Sequence, residues 1–372
     1  MNGHEGTVER DTPDTVSDTN APPLTAAPAA IGPAPVTPGW DADTPLALPA
    51  RAWWRVVRRV WVMSGFHELG LLAAGLAFYC FLALTPLIAA TVMTYGLVGD
   101  VDAVRDQMQS IVRVVPPEVA HMLEQQLIQI VTTSRGVTGF ALVIALFFAI
   151  YGGMRAASGM ISALNVINEE RETRGIIALT LRAGGLTLSA VLIAMTGVVS
   201  GGIFAWLQTH AAAYLGDATQ SLFNWLTWLA AILLGSSGFA LIMRYGPDRR
   251  PAKWRWLAPG ALLATLLWIA VSFGFSLYVA YISDYNATYG SLSAIVVFLM
   301  WLFLSAYGIL LGALLNAEIE RQTFCDTTRG PPKPPGERGA VLADVIDDRV
   351  PSLADLQRKR SRRAEKARRR AD

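Results

Sequence analysis

Few residues of this 372-residue chain have the types and spacing that chemistry needs. The four histidines, His4, His67, His121 and His210, are dispersed, and none has a histidine or carboxylate two or four residues further on. That spacing is what would place two ligands on one face to hold a metal. No G-x-S-x-G turn, Walker loop or H-E-x-x-H helix occurs. Cys80 lies inside an apolar run and Cys325 near the C-terminus. They are read as unpaired, Cys80 as a small apolar filler. Glu169-Glu170-Arg171-Glu172 reads as a solvated, charged loop face. The chain is predicted to be no enzyme and to need no cofactor.

The remaining candidates interrupt apolar sequence. Pro86, in Leu-Thr-Pro-Leu, is predicted to kink its helix by removing a backbone donor. Gly235-Ser236-Ser237-Gly238 is a second place where a helix could break. Broken helices build the midplane sites of many transporters, yet ordinary membrane helices also tolerate proline and serine. Both readings stay open. Small residues at four-residue spacing mark packing stripes: Ala149, Gly153 and Ala157; Gly197 and Gly201; Gly308 and Gly312, with Asn316 one turn on. Asn316 is expected to hydrogen-bond towards Gly312 across such an interface.

The elements that carry these residues follow from composition. The chain is 53% hydrophobic and 16% charged, against about 25% charged for a soluble domain. Six runs contain no Asp, Glu, Lys or Arg: Leu69–Gly99, Gly136–Met154, Ala183–Gly216, Ala218–Met243, Trp256–Ser283 and Tyr285–Ala317. A helical span needs roughly 20 apolar residues, and barrel strands would alternate instead. The fold class is therefore all-α: a polytopic membrane protein with six transmembrane helices and amphipathic interfacial helices. No charge is expected inside a span. Glu68, Arg155, Arg182, Arg244 and Glu318 are placed at span ends, where long side chains snorkel to the interface.

Lys and Arg set the orientation. Arg51, Arg55, Arg58 and Arg59 precede the first span; Arg155, Arg171, Arg174 and Arg182 lie between spans 2 and 3. Arg244, Arg249, Arg250, Lys253 and Arg255 lie between spans 4 and 5. The opposite loops carry Arg105, Arg113 and Arg135 and then none, so both termini are predicted to be cytoplasmic. Ala52–Phe66, with Trp53, Trp54 and Trp61 among Arg55, Arg58 and Arg59, reads as an in-plane helix facing anionic lipid. Glu118–Val131 reads as an amphipathic helix on the outer side. Residues 1–50 are polar and rich in Pro, Ala and Thr, and are expected to be disordered. Residues 323–372 are expected to form a disordered basic tail, with nine Lys or Arg among residues 358–370. That tail suits anionic headgroups, a solvated surface or nonspecific phosphate contact, and none of these is specific nucleic-acid recognition. Membrane lipids are the expected partners, and a homo-oligomer is left open.

Three segments together carry a family likeness: LAFYCFLALTPLIAA (76–90), SALNVINEERETRG (162–175) and YGSLSAIVVFLMWLFLSAYGILLGALLNAEIE (289–320). In order, spacing and span count, residues 50–322 resemble the YihY/BrkB family of inner-membrane proteins, once labelled ribonuclease BN. The resemblance implies an inner-membrane protein of the cell envelope that moves a lipid-like or amphiphilic substrate, or else a non-transporting scaffold for envelope integrity or serum resistance. It implies no nuclease. The family pattern falls on Ala77, Phe78, Tyr79, Pro86, Leu164, Asn165, Tyr289, Gly290, Trp301, Gly312, Asn316 and Glu318. Of these Tyr79, Pro86, Asn165, Tyr289, Gly290, Trp301, Gly312, Asn316 and Glu318 are the candidate site residues, with no catalytic or metal residue among them. Leu314 stands where relatives often carry an acid.

Overall fold

Backbone polar groups inside a bilayer have no water to bond, and helices satisfy them within one segment. The computed structural model describes residues 37–98, 139–282 and 292–345, with 351, 355, 358 and 361 besides. Over those residues it is all-helical; a lone antiparallel bridge joins Ala252 to Thr328. After a 3-10 turn at Pro45–Ala47 come α1 (Ala50–Phe66), α2 (Leu69–Val98), α3 (Gly139–Ile167), α4 (Ile176–Tyr245), α5 (Trp254–Ile282), α6 (Leu292–Glu320) and the short α7 (Val341–Asp344). Among the described residues five segments are long and apolar enough to cross a membrane: Val143–Ile167, Ile176–Phe204, Ser221–Tyr245, Trp254–Tyr278 and Ile295–Glu320. A sixth is present if α1 and the start of α2 count as one bent span. Only 11% of Ile176–Phe204 is buried within the chain, so the rest of its apolar surface is left for lipid.

The helix expected over Ala52–Phe66 is present as α1. Ala52, Val56, Arg59, Met63 and Phe66 recur every three or four residues and are buried, while Trp54 and Trp61 face outward. At its end Glu68 takes φ 54°, a left-handed conformation uncommon for a residue with a side chain. The chain turns there by 64° into α2.

One element joins two expected spans. α4 runs 70 residues but is not straight: Gly197 packs on Leu234 and Gly238 on Ile193, pairs 37 and 45 residues apart, so its halves lie antiparallel and the turn expected at 208–221 falls midway along it. Residues 205–220 hold no proline, one glycine and five alanines, so helical structure is favoured on both sides of that turn. The two span-length segments are its two halves. Gly235-Ser236-Ser237-Gly238 does not break the second of them. The Ser237 hydroxyl donates back to the Leu233 carbonyl (2.7 Å), and Ser236 pairs with the Thr265 hydroxyl of α5 at 3.0 Å. Pro86 likewise lies inside α2, which continues to Val98.

Close packing accounts for the small residues. A Cβ on Gly152 would lie 2.8 Å from the Ala83 backbone of α2, and Gly153 faces Thr187 of α4. On α6, Gly312 meets Gly260 of α5 backbone to backbone, and neither site has room for a side chain. Of the other stripe residues, Gly308 packs on Leu267 and Gly197 on Leu234, whereas Gly201 touches nothing.

The core gathers towards one end of the bundle, around Met63, Leu69, Leu164, Leu310, Leu314 and Leu342. Packed chain extends past both boundaries drawn from the sequence, 51 and 322. Trp40 stacks on Phe324 at 4.6 Å, Thr323 donates to the Ala42 carbonyl, and Leu342 is buried. Residues 1–36, the outer segment 100–135 with its Glu118–Val131 stretch, and most of the basic run fall outside the described residues.

Candidate functional site

Charge is concentrated at the polar end, where the loops after α3 and α4 meet the end of α6. Arg59, fully buried, points from α1 into the bundle. Its Nε donates to Glu318 Oε2 (2.8 Å), its Nη1 to Gln322 (2.8 Å) and its Nη2 to the Glu318 carbonyl (2.7 Å). Arg249 donates to Asn168 Oδ1 (2.9 Å) and pairs with Glu320 at 2.7 Å, while Arg321 pairs with Glu169 at 3.3 Å. Arg174 grips Glu172 through two nitrogens (2.6 and 2.7 Å), and Asp248 accepts the Thr173 amide and hydroxyl. Asn165 joins the two loops, donating to Glu172 (2.8 Å) and accepting the Asp248 amide (2.7 Å).

This arrangement corrects three expectations. Glu318 does not snorkel: it is 1% exposed and paired. Arg59 does not face lipid. Glu169–Glu172 is solvated only in part: Arg171 and Glu172 are exposed, though Glu172 holds Arg174 and Asn165, whereas Glu169 holds Arg321 and Glu170 accepts the Val341 amide. A buried charge is tolerable only when paired and hydrogen-bonded, and the loops supply the partners. The hydrogen bonds from Arg174 hold the Glu172 carboxyl below its ordinary range. Burial pushes the Asp248 carboxyl up, but its bonds from Thr173 and the charge of Arg174 outweigh that and leave it lowered. Burial raises the Glu170 carboxyl.

Asn316, buried one turn above this network, accepts the Gly260 amide (2.7 Å) and donates to the Leu257 carbonyl (2.9 Å). It therefore ties α6 to α5 rather than bonding to Gly312, whose part is to bring the two backbones close enough. Beside it lies a cavity with about 20 Å³ open to a water centre, room for about one water.

A second, sparser group sits at mid-depth. Arg155 is the midpoint of the span-length segment Val143–Ile167, ten residues, about 15 Å, from Asn165 at the polar end. Expected at a span end, it lies inside one. Its Nε donates to the Tyr151 hydroxyl (3.0 Å) one turn back, with the guanidinium 5.4 Å from that ring. Tyr79 of α2 lies against Gly159, one turn further along α3. Arg155, Tyr151 and Tyr79 are all exposed on the bundle surface, and no carboxylate pairs with Arg155 among the described residues.

The comparisons with known proteins give this architecture a family. The family model described as "Virulence factor BrkB" matches residues 60–337, well over half of the chain. The chain belongs to the BrkB family. It is 26% identical over 260 residues to a ribonuclease-like protein, YfkH, of Bacillus subtilis, covering 69% of this chain and 92% of the relative. It is 28% identical over 310 residues to the UPF0761 membrane protein RC1_0578 of Rhodospirillum centenum, covering 81% of this chain and 64% of the relative. A UPF0761 membrane protein of Idiomarina loihiensis is 28% identical over 209 residues, 55% of this chain and 69% of that one. No solved structure matches.

The candidate residues of this BrkB-family chain do not converge on one site. Asn165, Gly312, Asn316 and Glu318 belong to the polar end. Tyr79 stands at mid-depth, and Pro86 is half-buried further along α2. Trp301 donates to the Ser272 hydroxyl (3.1 Å) and stacks on Phe298 between α5 and α6. Tyr289 and Gly290 lie outside the described residues. Leu314 is fully buried against apolar neighbours, which suits leucine and would not suit an acid. Sequence reasoning missed Arg59, Asn168, Arg249, Gly260, Tyr151 and the depth of Arg155. The last had a signal. Residues 156–168 carry no charge, so the span could have been drawn through Arg155 instead of ending at it.

Proposed function

We propose that this BrkB-family protein carries an anionic, lipid-like amphiphile across the bacterial inner membrane, its headgroup passing Arg155. The observation that carries the reading is an exposed arginine halfway along a span-length segment, hydrogen-bonded to a phenol and paired with no acid among the described residues. Ionisable groups within membrane segments are expensive and mark substrate paths. A guanidinium held by Tyr151 offers a phosphate charge-assisted hydrogen bonds, and the exposed Phe78, Leu82 and Phe147 on α2 and α3 suit acyl chains. The polar end, rich in arginine, is read as cytoplasmic, with both termini there. Residues 1–36 and 346–372 are read as tails outside the transport unit. The reading treats the chain as non-enzymatic. Among the described residues no three His, Cys, Asp or Glu side chains gather in metal-ligating range.

Flipping of headgroup-labelled anionic and zwitterionic phospholipids in proteoliposomes, against empty vesicles, tests it. Acceleration of the anionic lipid is expected. Equal rates with and without protein, for every headgroup and under an imposed proton gradient, would return the chain to a scaffold role. In that role, deleting the two tails should abolish the envelope phenotype, which a transporter would largely keep.

A further inference from the structure

We infer that the cavity beside Asn316 is a binding site for one small monatomic anion of the chloride class, held by Arg244. This inference is independent of what Arg155 carries. Arg244, at the end of α4, is 5% exposed and lines the cavity together with Asn168, Arg249, Asn316 and Glu320. The buried arginines around it are matched: Arg59 by Glu318, Arg249 by Glu320, Arg321 by Glu169. The Arg338 guanidinium pairs with no carboxylate among the described residues, but each of its three nitrogens donates to a backbone carbonyl. Arg244 differs from both kinds. Its Nη1 donates to the Ala252 carbonyl, and its guanidinium sits 4.6 Å from the Trp254 ring and 5.5 Å from the Tyr245 ring. Its buried Nε–H has no partner, and no carboxylate pairs with it among the described residues.

The cavity wall therefore carries two guanidinium charges against one carboxylate, and that carboxylate, Glu320, is already held by Arg249. A buried cation lacking a counter-charge is what an anion relieves and a water only hydrates. Size limits the ligand: room for about one water excludes a phosphate ester or a carboxylic acid. The same positive surplus disfavours a metal cation. Because the site lies where α3, α4, α5 and α6 meet, its occupant would tie together the polar ends of four helices.

The test is thermal unfolding of the purified full-length protein in detergent, with chloride replaced by gluconate at constant ionic strength. Chloride and bromide are expected to raise Tm saturably. Arg244→Gln is expected to weaken that response about tenfold or more in midpoint concentration, the size of one charge-assisted hydrogen bond. Equal wild-type Tm in chloride and gluconate would overturn the inference and leave a water in the cavity. An undiminished chloride response in Arg244→Gln would overturn it too, by placing the anion elsewhere. If Arg244→Gln does not fold, bromide-soaked crystals of the wild type decide: an anomalous peak beside Arg244 Nε supports the site, and a cavity without one contradicts it.

Discussion

The polar end and the mid-depth group use the same residue types to opposite ends. At the polar end Arg59, Arg249, Arg321 and Arg174 each meet a carboxylate, and the first three are buried between helices. At mid-depth Arg155 meets only a phenol, on an exposed face. Saturated charges lock elements together and leave no valence for a ligand. A charge left open where it is costly to keep one is better explained by something that comes to it. The contrast separates charges that hold the fold from a charge available for function.

Breaking the saturated region should have the largest effect on stability. Arg59→Leu leaves Glu318 and Gln322 buried without their partner and is expected to cost about 3–5 kcal/mol, since removing one half of a buried pair strands the other. Replacing both, as Arg59→Met with Glu318→Met, should recover most of that loss. Thermal unfolding of the single and double variants in detergent checks it, and a single variant with wild-type Tm would mean the pair holds nothing. Asn316→Leu comes next. It orphans the Gly260 amide and the Leu257 carbonyl, and an expected loss of about 1–2 kcal/mol should appear in the same assay.

Smaller still is a pH effect at the loops. The carboxyls of Glu172 and Asp248 are lowered in the folded chain, so the stability they contribute is complete above their unfolded value, about 4, and is lost as pH falls through the folded one. Glu172→Gln should flatten the fall of Tm on acidification below pH 4. Glu170 has the opposite sign. Its carboxyl is raised by burial, so ionisation opposes folding, and Glu170→Gln should remove a small gain in Tm seen on acidification through its folded pKa.

The helical class and the apolar segments were legible because charge-free runs of span length have few other uses. Pairings were not. Arg59 and Glu318 lie 259 residues apart in the chain, and each alone looks like an ordinary interfacial charge. Asn316 was legible as an interhelical tie, but its partner was not, since Gly260 is marked only by the preceding Pro259. The two halves of α4 were legible: the single charge at Asp217 marked two spans, and both are present, packed antiparallel through Gly197 on Leu234 and Gly238 on Ile193. Arg155 was visible but misplaced, because its charge was taken as the edge of a span that continues to Ile167.

The most direct test of that contrast is lipid flipping by Arg155→Gln in proteoliposomes, measured beside its Tm and beside Arg155→Lys. The account predicts that Arg155→Gln keeps the wild-type Tm and loses acceleration of the anionic lipid, with Arg155→Lys restoring part of it. Wild-type flipping by a stably folded Arg155→Gln would contradict it, and Arg155 would then be one more structural charge.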